Sequence, residues 1–156
     1  MAFSTILDQI QKGEVDSLYV LGGDPEGWIL DGDLATLDKL KLLVVQDLLA
    51  SPASAKAQFV LPGSAWAEKE GTFVNHKGLA QAIHRGLRGP EGSRPDGRIL
   101  FDLLGRGGLF HAASLRQEIA KEIPALAAIG AGDLGEHGVL LSSAKTEVGS
   151  SPVVMA

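Results

Sequence analysis

The sequence predicts an α/β fold: a parallel sheet with flanking helices, followed by a small helical and extended C-terminal part. Three observations predict it. Short apolar runs at 17–21, 41–45 and 58–61 are separated by helix-period segments, the alternation produced by crossovers between parallel strands. The runs are near-continuously apolar rather than alternating, as expected of strands covered on both faces. Two of them end in polar turns, Gly22-Gly23-Asp24-Pro25 and Gln46-Asp47, and ligands of open α/β sheets sit beyond the carboxyl ends of strands.

The elements follow in order. Phe3, Ile6, Leu7 and Ile10 recur at helical spacing, and Gly13 stops that helix. The first strand, 17–21, runs into the Gly22–Pro25 turn. Asp33 is placed to cap a helix carrying Leu34, Leu37 and Leu40. The second strand, 41–45, ends at Gln46-Asp47, a short helix over 51–56 takes Ser51 as its cap, and 58–61 is the third strand. Residues 71–75 are extended, 78–87 extended and mixed, and 88–95 a loop by composition. Pro95 opens a helix whose face is Ile99, Leu100, Leu103 and Leu104. Ser114 and Gln117 form a capping box for a helix with Leu115, Ile119 and Ile123 on its buried side, stopped by Pro124. These elements divide the chain into an α/β domain over 1–129 and a Gly-rich tail over 130–156, with one strand-like island at Val139-Leu140-Leu141.

Composition bounds the function. The 156 residues suffice for a real core, and 45% are apolar but only 5% aromatic, so that core is aliphatic. A net charge of −5 argues against a nucleic-acid partner, which needs clustered Lys and Arg. Without cysteine, the chain offers no thiolate to a zinc ion or an iron–sulfur cluster. No apolar run reaches the roughly 18 residues of a membrane span. Residues 1–5 carry no basic segment before an apolar block, so no secretory signal is expected and a cytoplasmic location is. His76, His84, His111 and His137 lack metal-ligand spacing, and no catalytic residue or metal ligand is assigned.

Taken singly, the polar turns are weak signals. Gly22-Gly23-Asp24-Pro25 could bring backbone N–H groups close to a phosphate, but a Gly-Asp-Pro turn after a strand is commonly only a turn. Gln46 and Asp47 could read a base edge or hold a ribose hydroxyl; a helix cap beside a solvated Gln is the ordinary alternative.

Read together, the turns resemble a known family. Val44-Val45-Gln46-Asp47-Leu48-Leu49, the run from Ala57 through Leu61-Pro62 to Glu68, and Glu70-Gly71-Thr72-Phe73-Val74-Asn75 are similar to the molybdopterin oxidoreductases, from about Leu18 to about Leu104. The similarity is greatest to the large iron–sulfur subunit of NADH-quinone oxidoreductases. The resemblance implies a Rossmann-like part of a molybdopterin domain, the part that closes over the guanosine half of the cofactor. It implies cofactor contacts at Gly22, Gly23, Asp24, Gln46, Asp47, Ser51, Glu68 and Asn75.

Four polar positions of the family pattern are lost, with Ala53 replacing a Thr, Gln58 an Asp, Lys77 a Glu and Leu79 an Arg, while Ser51 keeps the hydroxyl of a Thr and Phe59 replaces an aliphatic residue. Read as losses on a cofactor-facing ledge, they imply a degenerate site kept for its shape, without cofactor. The chain would then be a structural or assembly module of an NADH-quinone oxidoreductase, partnered by other respiratory subunits or by the remainder of a split large iron–sulfur subunit. It would meet the membrane's cytoplasmic face only through those partners. The alternative is a fragment of an active molybdenum or tungsten enzyme that contributes guanosine-binding residues to molybdopterin guanine dinucleotide. Partner surface is expected on the first helix, at Phe3, Ile6 and Ile10, and on the tail, at Val139–Leu141, Val153 and Val154.

Overall fold

The computed structural model describes residues 3–22 and 29–141. They fall into two compact units that divide between Gly63 and Ser64.

The first unit runs α1 (Phe3–Gln11), β1 (Ser17–Leu21), α2 (Asp31–Leu37), β2 (Leu42–Asp47), a 3₁₀ turn (Ser54–Lys56) and β3 (Phe59–Pro62). The strands form a parallel sheet in the order β1-β2-β3. Leu21 lies opposite Gln46, and Asp47 opposite Pro62, so all three carboxyl ends reach one edge. α1 ends where the periodicity predicts, with Gly13 in the left-handed region at φ 75°. α2 starts two residues before the expected cap. Asp31 and Asp33 both lie in its first turn, where carboxylates complement the helix dipole, and no side chain caps it.

Leu7, Ile10, Val20, Ile29, Leu37, Leu40, Leu43, Val45 and Ala53 make the core of this unit. Each of the larger aliphatic side chains contributes roughly 1.5–3 kcal/mol when fully buried. Ile10 is 1% exposed, so the apolar face of α1 is spent on this core rather than left for a partner. The sheet, however, is not covered on both faces: Tyr19, Leu21, Phe59 and Val60 are exposed. An apolar run records that a strand has a buried side, and does not record whether the second side is covered.

Asp16 and Lys41 pair across the entries of β1 and β2 at 2.8 Å. The lysine holds the Asp16 carboxyl below its ordinary value, and the carboxylate raises the Lys41 ammonium above its own. The depressed carboxyl favours the fold above its unfolded pKa, an effect lost as pH falls through the folded value. The raised ammonium favours it below its unfolded pKa, an effect lost as pH rises through the folded value. Both groups are solvent-exposed, so Lys41→Met should return the Asp16 titration, followed by NMR, toward an ordinary carboxylate and leave the unfolding midpoint almost unmoved.

The second unit holds a 3₁₀ turn (Trp66–Glu68), β4 (Gly71–Val74), β5 (Leu79–Ile83), α3 (Asp96–Leu103), α4 (Ala112–Glu122), a longer 3₁₀ segment (Pro124–Gly130) and β6 (Val139–Leu140). Its sheet is antiparallel in the order β4-β5-β6. Ala80, Ile129 and Leu134 are its buried centre. Residues 130–141 therefore pack within this unit, with Ala80 opposite Val139. The rest of the tail, including Val153 and Val154, lies outside the described residues.

α4 departs from expectation at its start and on its buried side. It begins at Ala112, and the imidazole of His111, not Ser114, caps it by accepting the Ser114 N–H. Ile123 is exposed, and the residue buried on α4 is Arg116. Its Nε donates to the Ile129 carbonyl at 2.9 Å, and its Nη2 to those of Ala131 at 3.1 Å and Gly132 at 2.9 Å. A guanidinium can be buried without a carboxylate when carbonyl oxygens converge on its fork.

Candidate functional site

The carboxyl edge of the parallel sheet gathers the sequence-predicted residues of the first unit. The Gly22 N–H donates to the Gln46 carbonyl at 2.8 Å, and the Gly63 N–H to the Asp47 carbonyl at 2.9 Å. These two bonds close the ladder, so the three chains leave the sheet at a common level.

Asp47 is the chemical group at this edge. Its side chain is nearly buried, and Oδ1 accepts the Leu48 N–H at 2.6 Å. The carboxylate also lies directly against Gly22: a Cβ built there would overlap Oδ2 and Cγ. Gly22 is thus required by close approach, since only hydrogen fits between the end of β1 and the acid. The remaining accepting capacity of the carboxylate suits a ribose hydroxyl or the N–H edge of a guanine.

Gln46 lies behind the edge rather than on it. It is fully buried, and Tyr19 Oη donates to its Oε1. The Tyr19 contact is not legible from sequence spacing. It follows from the strand register, which sets Tyr19 opposite Val44 and hence diagonal to Gln46.

Ser51 opens the turn after β2. Its Oγ accepts the Ser54 N–H at 3.1 Å, while the Ser54 Oγ accepts the Ser51 N–H at 2.8 Å. This reciprocal pair rigidifies the backbone that follows the acid. Gly23 and Asp24 lie outside the described residues.

Two of the four departures fall in the first unit, and neither is on the edge. Ala53 is fully buried in the core of the first unit. Gln58 sits at the opposite, amino end of β3, where its Oε1 accepts the Leu43 N–H at 2.6 Å and its own N–H donates to the Leu43 carbonyl. Their expected place on a cofactor ledge is corrected: one fills the core and the other extends the strand ladder.

Glu68 and Asn75 belong to the second unit. Glu68 Oε2 accepts the Ala65 N–H at 2.9 Å. Asn75 Oδ1 accepts the N–H groups of Lys77 at 2.9 Å and Leu79 at 3.1 Å, which builds the turn of the β4–β5 hairpin. Lys77 is exposed on that turn, and Leu79 is half-buried at the start of β5. Among the described residues no three His, Asp or Glu side chains converge as a metal site.

The sequence profile of the molybdopterin oxidoreductases matches residues 2–106. The chain is 34% identical over 131 residues to the NADPH-Fe(3+) oxidoreductase subunit alpha of Geobacter sulfurreducens, an alignment covering 80% of this chain and 16% of the relative. It is 35% identical over 147 residues to the F420-dependent formate dehydrogenase 1 subunit alpha of Methanococcus maripaludis, covering 86% and 22%. It is 33% identical over 132 residues to the probable oxidoreductase YjgC of Bacillus subtilis, covering 80% and 13%. The chain thus spans less than a quarter of the length of these relatives.

Proposed function

The chain belongs to the molybdopterin oxidoreductase family, and from that premise we propose that it holds the nucleotide end of the pterin cofactor, molybdopterin guanine dinucleotide, within a larger oxidoreductase. The observation that carries this reading is the Asp47 carboxylate seated against Gly22 at the carboxyl edge of the parallel sheet. In this reading the Gly22 turn approaches the phosphates, Asp47 accepts from ribose or guanine, and the Ser51 turn fixes the backbone beside it. Gln46 positions the edge from behind. The cofactor, where bound, supplies the redox chemistry of the family.

The isolated chain is expected to show no redox turnover, because it offers no thiolate for a cluster and its assigned residues only bind and orient. Its partners would be other segments or subunits of the oxidoreductase; two of the relatives above are themselves named as subunits. No helix among the described residues is long and apolar enough to cross a membrane, which fits a cytoplasmic module held by such partners.

A second reading is an assembly module of an NADH-quinone oxidoreductase, similar to its large iron–sulfur subunit and carrying a degenerate pterin site. Lys77 and Leu79 favour it, since the family pattern places Glu and Arg there and an Arg fork suits an anionic ligand. Ala53 and Gln58 do not add to it, given their places in the core and at the amino edge.

Calorimetric titration of GDP separates the two readings. The nucleotide-holding reading expects saturable binding, weakened at least about tenfold in Asp47→Ala, as for loss of a charged hydrogen bond. Absence of GDP binding, or equal binding by both proteins, would replace it with the assembly-module reading.

A further inference from the structure

The second unit contains a cleft of about 560 Å³ whose walls include Ser64, Glu68, Arg85, Arg88, Gly89 and Ser93. We propose that this cleft is a binding site for a phosphate-class oxyanion, held by Arg85 and Arg88.

The arginines of the chain divide into two groups. Arg94 and Arg98 pair with Asp102, Arg106 pairs with Glu118, and Arg116 is satisfied by carbonyl oxygens. Arg85 and Arg88 make no ion pair or hydrogen bond among the described residues, and both line the cleft. In a chain of net charge −5, two unpaired guanidiniums on one short loop form a local positive field.

Their loop is rigidly built. The N–H groups of Gly86 and Leu87, between the two arginines, both donate to the Ala67 carbonyl, at 2.9 and 3.0 Å. Beyond Arg88, the Ser93 N–H and Oγ both donate to the Pro90 carbonyl. A Cβ on Gly89 would lie 2.8 Å from Ser93 Oγ and 3.1 Å from Glu68 Oε2, so the loop folds tightly against the cleft wall. The backbone that carries the two guanidiniums is therefore anchored before any ligand arrives, which lowers the ordering cost of binding.

A second observation also points to a ligand. Ser64 is 2% exposed and lines the cleft, and its hydroxyl has no hydrogen-bond partner among the described residues. A buried hydroxyl left unsatisfied is costly, and a bound oxyanion would satisfy it. Two guanidinium forks and one O–H offer more donors than a carboxylate's two oxygens accept, whereas a phosphate presents three or four. Glu68 and Glu91 also line the cleft, and both carboxylates oppose an anion; Glu68 Oε2 is oriented by the Ala65 N–H, whereas no hydrogen bond among the described residues holds Glu91, so Glu91 is the one that can be removed without disturbing the cleft wall.

The test titrates pyrophosphate, acetate and GDP into the full chain, reading affinity by calorimetry and the Arg85 and Arg88 side-chain resonances by NMR. Both arginines are exposed, so the double variant Arg85→Gln/Arg88→Gln should keep the wild-type melting curve. Pyrophosphate should bind, shift both resonances and lose at least about tenfold in affinity in that variant and in Ser64→Ala. Glu91→Gln should tighten it, and Asp47→Ala should leave it unchanged. GDP binding that weakens in the double variant and not in Asp47→Ala would identify a nucleotide diphosphate as the natural source of the anion at this cleft. GDP binding indifferent to the double variant, beside sensitive pyrophosphate binding, would identify a separate phosphate ligand. Acetate bound as tightly as pyrophosphate, unmoved arginine resonances, or unchanged affinity in the double variant would each overturn the proposal. Because only the nucleotide reading depends on Asp47, either proposal can fail without the other.

Discussion

Arg116→Ala should destabilise the second unit by about 1.5–3 kcal/mol, the range for losing hydrogen bonds donated by a charged group. The backbone carbonyls of Ile129, Ala131 and Gly132 would lose the guanidinium that donates to them at a buried position. Ile129 lies in the 3₁₀ segment Pro124–Gly130, so α4 and the segment leading to β6 would separate together. Arg116→Lys keeps the charge but replaces the fork by a single nitrogen, and should recover only part of the loss. Urea unfolding checks this, with far-UV circular dichroism as the signal. Equal midpoints for the wild type and Arg116→Ala would mean that the carbonyls find water and the arginine does not organise the unit.

Gly22→Ala has the second large effect, and it reaches the site. The added methyl would overlap the Asp47 carboxylate, so the acid must rotate away or β1 must end differently. Rotation abandons the bond from the Leu48 N–H, and moving β1 strains the bond from the Gly22 N–H to the Gln46 carbonyl. Overpacking of this kind costs about 1–3 kcal/mol, offset in part by the smaller unfolded-state entropy of Ala. GDP affinity should fall at least as far as in Asp47→Ala, because both the acid and the turn are displaced. A variant with unchanged unfolding midpoint and unchanged GDP affinity would show that the carboxylate can move freely and that the edge is not preformed.

Much of the parallel part is legible because its strands are short apolar runs with polar ends. The runs beginning at Ser17 and ending near Leu61 form β1, β2 and β3 within a residue or two, and Gly13 and Pro124 stop their helices as the pattern predicts. The hairpin of β4 and β5 is visible in sequence only as extended chain. Its turn, Asn75 to Gly78, lacks the two-residue signature of a tight hairpin, and the pairing depends on the Asn75 side chain. The start of α4 is not legible because His111, an uncommon cap, supplies the acceptor expected of Ser114. Arg116 is hidden because a charged residue in a helix is ordinarily solvated, and only converging carbonyls reverse that.

The sequence by itself determined the family, the parallel strands and the residue types available at the sheet's edge, because these depend on local pattern and on a long ordered match. Only the tertiary structure decided which polar side chains belong to that edge. Asp47 is held there by its contact with Gly22, whereas Gln46 turns back to Tyr19, Ala53 enters the core and Gln58 lies at the other end of the sheet. The physical reason is that a side chain's role follows from the direction it leaves the backbone and from the partners it meets across the chain. Strand register and packing fix both, and neighbours in sequence do not.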